Sequence, residues 1–358
     1  MIDSKTFNLT NNMRLVHPIL TIIFVFITTF IHAQKKNQTR QQFASIGNFK
    51  LENGSTIYDC RLGYRTFGKM NENKSNVIIF PTWFTGTTER LEGAVPDKLI
   101  DTTQYYLILI DALGDGISTS PSNSKRQPRL SFPKFSIRDM VESEYILMTK
   151  HFSLPHVFAI GGISMGGMQS FQWSVSHPNF ADKIIPIVGS PQLDAADLLL
   201  WNGEMHAIQR DTAFHNGNYK GLPPIPAASI MHAFALESPT YLATNIARDS
   251  FDHYLSNVMH SEKFDWNDRI RQLQAMLSND IAKDVNGSLE EIAKKITAKM
   301  LVVTSKQDHM VNPLPAAKLA GYLHANLLEL DTDCGHIGPG CEGEKVKEAI
   351  KKFLSTQP

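Results

Sequence analysis

Gly162-Ile-Ser164-Met-Gly166 stands between a short apolar run, Phe158-Ala-Ile160, and a helical pattern from Met168 to Ser176. A serine flanked at two residues on either side by glycine, in a sharp strand-to-helix turn, is the nucleophile elbow of acyl chemistry. The glycines let strand and helix approach without Cβ clashes, and the serine takes strained backbone angles. The turn also sets Ser164 at a helix N-terminus, where N–H groups and the dipole favour a developing oxyanion. A glycine-rich turn holding an inert serine would use the same residue types. The strand before it and the helix after it favour the nucleophile.

A serine hydroxyl is a poor nucleophile until a base takes its proton. The expected chain order is serine, then carboxylate, then histidine. Met300-Leu-Val-Val303 reads as a strand, and Asp308 follows just past its end. Leu327-Leu-Glu-Leu330 reads as the last strand and leads to Gly335-His336, with a closing helix from Glu344 to Leu354. Asp308 is therefore the expected orienting acid and His336 the expected general base. Rivals exist among the 13 histidines. His309 follows the acid directly and would point elsewhere, Asp331 and Asp333 would serve only if their loop folded back, and His206, His215 and His232 fall in a different segment. The second oxyanion donor is expected after an early strand, in Phe80-Pro-Thr-Trp-Phe-Thr-Gly86. The backbone N–H groups of Phe84 and Met165 are the expected hole, with Trp83 the neighbouring candidate.

Buried parallel strands read as continuous apolar runs. Such runs occur at Val77–Phe80, Tyr105–Ile110, Phe158–Ile160, Ile184–Val188, Met300–Val303 and Leu327–Leu330, and Ile137 to Phe152 has helical spacing between them. This rhythm predicts an α/β fold, a mostly parallel sheet flanked by helices, and the elbow with its ordered partners makes it an α/β-hydrolase fold. From 194 to 288 the texture changes: Ala, Met, His and aromatics at helical spacing, with no β-branched strand runs. An insertion at the strand ends of such a sheet commonly covers the ligand crevice, so a helical lid is expected over 194–288. The core is then 43–193 and 289–358.

Longer segments carry a resemblance. Asp115-Gly-Ile-Ser-Thr-Ser-Pro121-Ser-Asn123, Phe132-Pro-Lys-Phe-Ser-Ile-Arg-Asp-Met140, Gly161-Gly-Ile-Ser-Met-Gly-Gly-Met-Gln169, Ala207-Ile-Gln-Arg210 and the pair Gly335-His336 occur in order. From about Leu62 onward the chain resembles the homoserine O-acetyltransferases and their relatives. The resemblance implies a hydrolase core with a helical lid and a triad at Ser164, Asp308 and His336. It also implies an Asp after the histidine for the substrate amine and a lid Arg for its carboxylate. Here Ile337 follows His336, and Gly221-Leu-Pro-Pro-Ile-Pro-Ala-Ala-Ser229 has no Arg. The charged ends of an amino acid would meet apolar surroundings, a penalty of several kcal/mol.

Lys+Arg and Asp+Glu are both 35, which gives no electrostatic reason to expect nucleic acid as a partner. No His/Cys/Glu grouping has a familiar metal spacing, and Cys334, His336 and Cys341 lack a fourth ligand, so neither metal nor cofactor is expected. Arg14 and His17 precede an apolar run from Ile19 through Ile31, and polar residues follow Ala33. That pattern describes a secretory signal over 1–33, with a polar linker over 34–42. The run is too short for a comfortable membrane span, so no stable insertion is expected after cleavage. Ile31, third before the cut, keeps an uncleaved anchor as the alternative, and Met13 offers a second start. Export makes oxidation possible. The three cysteines leave at least one unpaired or paired between chains, and Cys334 and Cys341 bracket His336 either as a bridge or as two free thiols.

The expectation is an exported serine hydrolase acting on a small-molecule acyl ester through an acyl-enzyme on Ser164. The alternative is an acyltransferase that moves the acyl group to a hydroxyl. A silent binding protein on the same fold is a third reading, disfavoured by the complete set of Ser164, Asp308 and His336. The oligomeric state is left open, a homodimer included.

Overall fold

A computed structural model describes residues 40–260 and 262–357; the expected signal segment and residues 34–39 of the expected linker lie outside the described residues, and the linker's last residue, Gln42, already belongs to the first strand. Eight strands form one sheet: β1 (Gln42–Lys50), β2 (Thr56–Phe67), β3 (Val77–Pro81), β4 (Tyr106–Ile110), β5 (Val157–Ile163), β6 (Ala181–Ile187), β7 (Lys299–Ser305) and β8 (Asn326–Leu330). Their spatial order is β1-β2-β4-β3-β5-β6-β7-β8. β1 pairs antiparallel with β2 and β2 with β4; every other pairing is parallel. The chain thus has the α/β-hydrolase fold.

The apolar runs form strands because helices bury both faces of the sheet. Val77, Ile79, Ile108, Ile160 and Ile184 face one core layer, while Ile78, Phe80, Leu107, Ala159 and Ile185 face the other. Each such aliphatic side chain contributes about 1.5–3 kcal/mol when fully buried. Between β6 and β7 lie the helices Ala195–Arg210, Pro226–Leu236, Pro239–Asn245, Phe251–His260 and Trp266–Leu277, followed by the short helix Leu289–Ala293 that leads into β7. The ends of this insertion are tied together at its neck: Ile281 N–H donates to the Pro191 carbonyl at 3.0 Å, beside an antiparallel bridge between Gln192 and Asp280.

The segment read as one helix from Ile137 to Phe152 is two pieces. A Ser136–Asp139 capping box starts an α-helix that runs Ile137–Ile146, and a wider turn continues over Leu147–His151. There Phe152 N–H reaches back five residues to the Leu147 carbonyl. The wide turn buries Leu147 and Met148 and brings His151 Nε2 to 2.8 Å from the Tyr64 hydroxyl.

Glu144, on that helix, is fully buried, and Trp173 Nε1 donates to its Oε2 at 2.8 Å. Its Oε1 meets no partner among the described residues. Burial pushes its carboxyl up to about 8, with the Trp173 hydrogen bond offsetting part of the rise. The folded state therefore holds a proton that the unfolded chain releases near pH 4.3. A raised acid stabilises the fold fully below the unfolded value, and that contribution is lost as pH rises through about 8. Glu144→Gln should remove this part of the pH dependence. Urea unfolding at pH 5 and pH 8 should show wild type losing on the order of a few kcal/mol relative to the variant. Parallel pH profiles for the two proteins would show that Glu144 does not hold the proton.

Candidate active site

Ser164 sits where β5 turns into the helix Met165–Ser176, with φ 58° and ψ −119°. A non-glycine residue there costs of order 1–3 kcal/mol and persists only where its surroundings enforce it. The enforcement is visible. Ser164 N–H donates to the Ile187 carbonyl at 2.8 Å, and a Cβ on Gly162 would lie 2.1 Å from the Gly166 carbonyl oxygen. Only glycine fits at 162, so the turn can close and lift the serine above the strand end.

Asp308 lies just beyond β7, and its Oδ1 accepts N–H groups of Met310 and Val311, both at 2.9 Å. Its Oδ2 is 2.7 Å from His336 Nδ1, and His336 Nε2 is 2.8 Å from Ser164 Oγ. An ionised carboxylate can only accept, so the imidazole carries its proton on Nδ1 and offers the Nε2 lone pair to the serine. All three side chains are buried. The structure therefore joins the three residues expected from chain order in one line of hydrogen bonds. Their rivals are engaged elsewhere: Asp331 binds Lys306 at 3.0 Å, Asp333 binds Gln307 at 2.6 Å, and His309, His206 and His215 are exposed.

The His336 loop is held from three sides. Ser305 Oγ donates to the Gly335 carbonyl at 2.7 Å, and Ser238, from the helical insertion, donates to the Asp333 carbonyl. Cys334 and Cys341 are joined in a disulfide that closes the loop around the histidine. The remaining thiol, Cys60, is buried, and burial pushes it up to about 12 against a partly offsetting Thr119 hydrogen bond. At neutral pH it is not a competing nucleophile.

Beside Ser164, the loop after β3 is pinned by Gln272, whose Oε1 accepts Thr85 N–H at 2.9 Å and whose Nε2 donates to the Leu113 carbonyl at 3.3 Å. Gln169 Nε2 holds the Thr82 carbonyl at 3.1 Å. Phe84 N–H meets no acceptor among the described residues. Met165 opens its helix, so its N–H is one of the first four, which lack an intrahelical carbonyl. Gln272 was not legible as a site residue: it lies 187 positions from Thr85 and carries no motif.

Ser164 and His336 open on a cavity of about 760 Å³. Trp83, Phe84, Leu236, Met310 and Ile337 give it apolar walls, and His232 is among its polar lining. Its cations, Arg90, Lys98 and Lys347, come from the segment after β3 and the last helix, not from the insertion. Of the arginines buried in the insertion, Arg269 is paired with Glu204 and Glu262, and Arg271 bonds the Phe132 and Leu130 carbonyls.

Residues 76–339 match the family described as alpha/beta hydrolase fold. A probable esterase of Corynebacterium glutamicum is 27% identical over 328 residues, which cover 87% of this chain and 93% of its own. A homoserine O-acetyltransferase of Nautilia profundicola is 29% identical over 351 residues, 85% of this chain and 95% of its own. The solved structure of an acetylester hydrolase from Corynebacterium glutamicum superposes with a TM-score of 0.80 at 25% identity, covering 88% of this chain and 95% of that one.

Proposed function

The chain belongs to the α/β-hydrolase fold family, as an esterase or acyltransferase, and from that premise we propose that it is an exported esterase that hydrolyses a small acyl ester through an acyl-enzyme on Ser164. The observation that carries this reading is the unbroken line Asp308–His336–Ser164, with bonds of 2.7 and 2.8 Å, opening on a largely apolar cavity.

In this reading His336 Nε2 takes the hydroxyl proton as Ser164 Oγ attacks the ester carbonyl. The carbonyl oxygen gains charge, which the N–H groups of Phe84 and Met165 stabilise. Asp308 keeps the imidazole in the useful tautomer and stabilises it once protonated. His336 then gives its proton to the departing alcohol, leaving the acyl group on Ser164. Water enters, His336 removes its proton, and attack on the acyl-enzyme releases the acid and restores the serine. The helical insertion acts as a lid in this scheme: His232 and Leu236 from it line the cavity.

Transfer to a hydroxyl is the second reading, favoured by the similarity to homoserine O-acetyltransferases. Ile337 lines the cavity directly after His336, where the family resemblance implies an amine-binding Asp. A missing charge-assisted hydrogen bond costs about 1.5–3 kcal/mol, and two lower preference for the amino acid by roughly a hundred-fold or more. The purified protein, given acetyl-CoA and homoserine, should release no homoserine-dependent CoA at enzymatic rates, yet should release acetate from simple acetyl esters. Homoserine-dependent release faster than about one per second would replace hydrolysis by transfer.

A further inference from the structure

One polar group in the cavity has no part in that scheme. His232, on the helix Pro226–Leu236, lines the same cavity as Ser164 and His336. Its Nδ1 lies 3.3 Å from Glu204 Oε2, a carboxylate wholly buried on the helix Ala195–Arg210. Arg269 Nε donates to the other oxygen of that carboxylate at 2.6 Å. Burial acts to raise the Glu204 carboxyl, but Arg269 and His232 outweigh it and leave the group below its ordinary value. Arg269 keeps Glu204 in its accept-only form, so a proton of His232 sits on Nδ1, and in the neutral imidazole Nε2 keeps its lone pair. That Nε2 has no protein partner among the described residues. The ring packs against Phe84 and Trp201, with centroids 5.8 and 6.3 Å away.

A buried carboxylate and a buried guanidinium are expensive to desolvate, and a well-packed apolar pair would fill the space as stably. What this arrangement does is fix one imidazole tautomer beside the apolar side chains of Phe84 and Leu236. An acceptor there is satisfied by water when the cavity is empty. A purely alkyl substrate would displace that water and strand the lone pair, whereas a hydroxyl would replace it. Resting on the esterase reading above, we propose that His232 determines specificity by accepting a hydrogen bond from a hydroxyl on the non-reacting part of the ester. The substrate class is then hydroxylated acyl esters, with the hydroxyl on either the alcohol or the acyl portion.

Two pairs of esters, each matched by exchanging a hydroxyl for a methyl, test this and separate the two positions. The first pair is 2-hydroxyethyl acetate and propyl acetate. The second is ethyl hydroxyacetate and ethyl propanoate. Wild type should favour the hydroxylated member of one pair by about three- to tenfold in kcat/KM. His232→Phe keeps a ring against Phe84 and Trp201 but removes the acceptor, so that ratio should fall to near one. His232→Gln, which retains an acceptor oxygen, should restore part of it. A merely structural histidine would lower both members of a pair alike. Wild type without a hydroxyl preference in either pair would overturn the proposal, whether or not the variants fold. A preference kept in His232→Phe would do the same. Hydrolysis of none of the four esters would instead bring down the esterase reading, and this inference with it.

Discussion

Ser164→Ala is expected to lower ester turnover by roughly 10⁴- to 10⁶-fold while leaving the fold intact. Cys60, the thiol outside the disulfide, cannot take over, since it is buried with its thiol pushed up to about 12. What survives is binding and oxyanion stabilisation acting on water. The stability side follows from the turn. Alanine keeps the Cβ, so the strain of φ 58° is unchanged, and the hydroxyl's hydrogen bond is to His336 Nε2. A net loss of about 1 kcal/mol or less is expected from that bond. Thermal melting should therefore shift little while activity disappears. A variant retaining even a tenth of wild-type turnover would remove Ser164 from the chemistry.

The second large effect separates His336 from Asp308. His336→Ala removes both the base and the later acid, and should cost nearly as much as loss of the serine, about 10⁵-fold or more. Asp308→Asn should cost about 10²- to 10⁴-fold. The reason lies in how the carboxylate is used. Oδ1 accepts two backbone N–H groups, so an asparagine would put its carbonyl oxygen there and turn its NH₂ toward His336. The imidazole would then carry its proton on Nε2 and face Ser164 as a donor, unable to take the serine proton. Steady-state kcat for both variants, with circular dichroism to verify folding, gives the order. Asp308→Asn falling below His336→Ala in activity would mean that the histidine is not the proton carrier.

The parallel core was legible because its inner strands are buried on both faces and read as apolar runs, while the edge strand β8, largely open, still carries Leu327, Leu328 and Leu330. Val77–Pro81 is buried at every position. β1 and β2 were not anticipated: they pair antiparallel at the sheet edge, and β1 alternates buried and open residues too irregularly to stand out. Ser164, Asp308 and His336 could be named because the elbow has a local signature and the other two follow strand ends in a set order. The Glu204–Arg269–His232 arrangement could not be read the same way. Its members lie on three helices, His232 separated from Glu204 by 28 positions and Arg269 from Glu204 by 65, and no spacing rule links them. The wide turn at Leu147–His151 escaped for a different reason, since its residues continue the helical apolar spacing.

Rapid mixing with p-nitrophenyl acetate, followed by acid quench and peptide mass spectrometry, tests the acyl-enzyme most directly. The activated ester acylates fast, so deacylation limits turnover and the intermediate accumulates. The account predicts a burst of p-nitrophenol and an acetyl group on the peptide containing Ser164, on that serine and absent from Ser164→Ala. Steady hydrolysis with Ser164 unmodified at every quench time, or an acetyl group on another residue of an active enzyme, would contradict it.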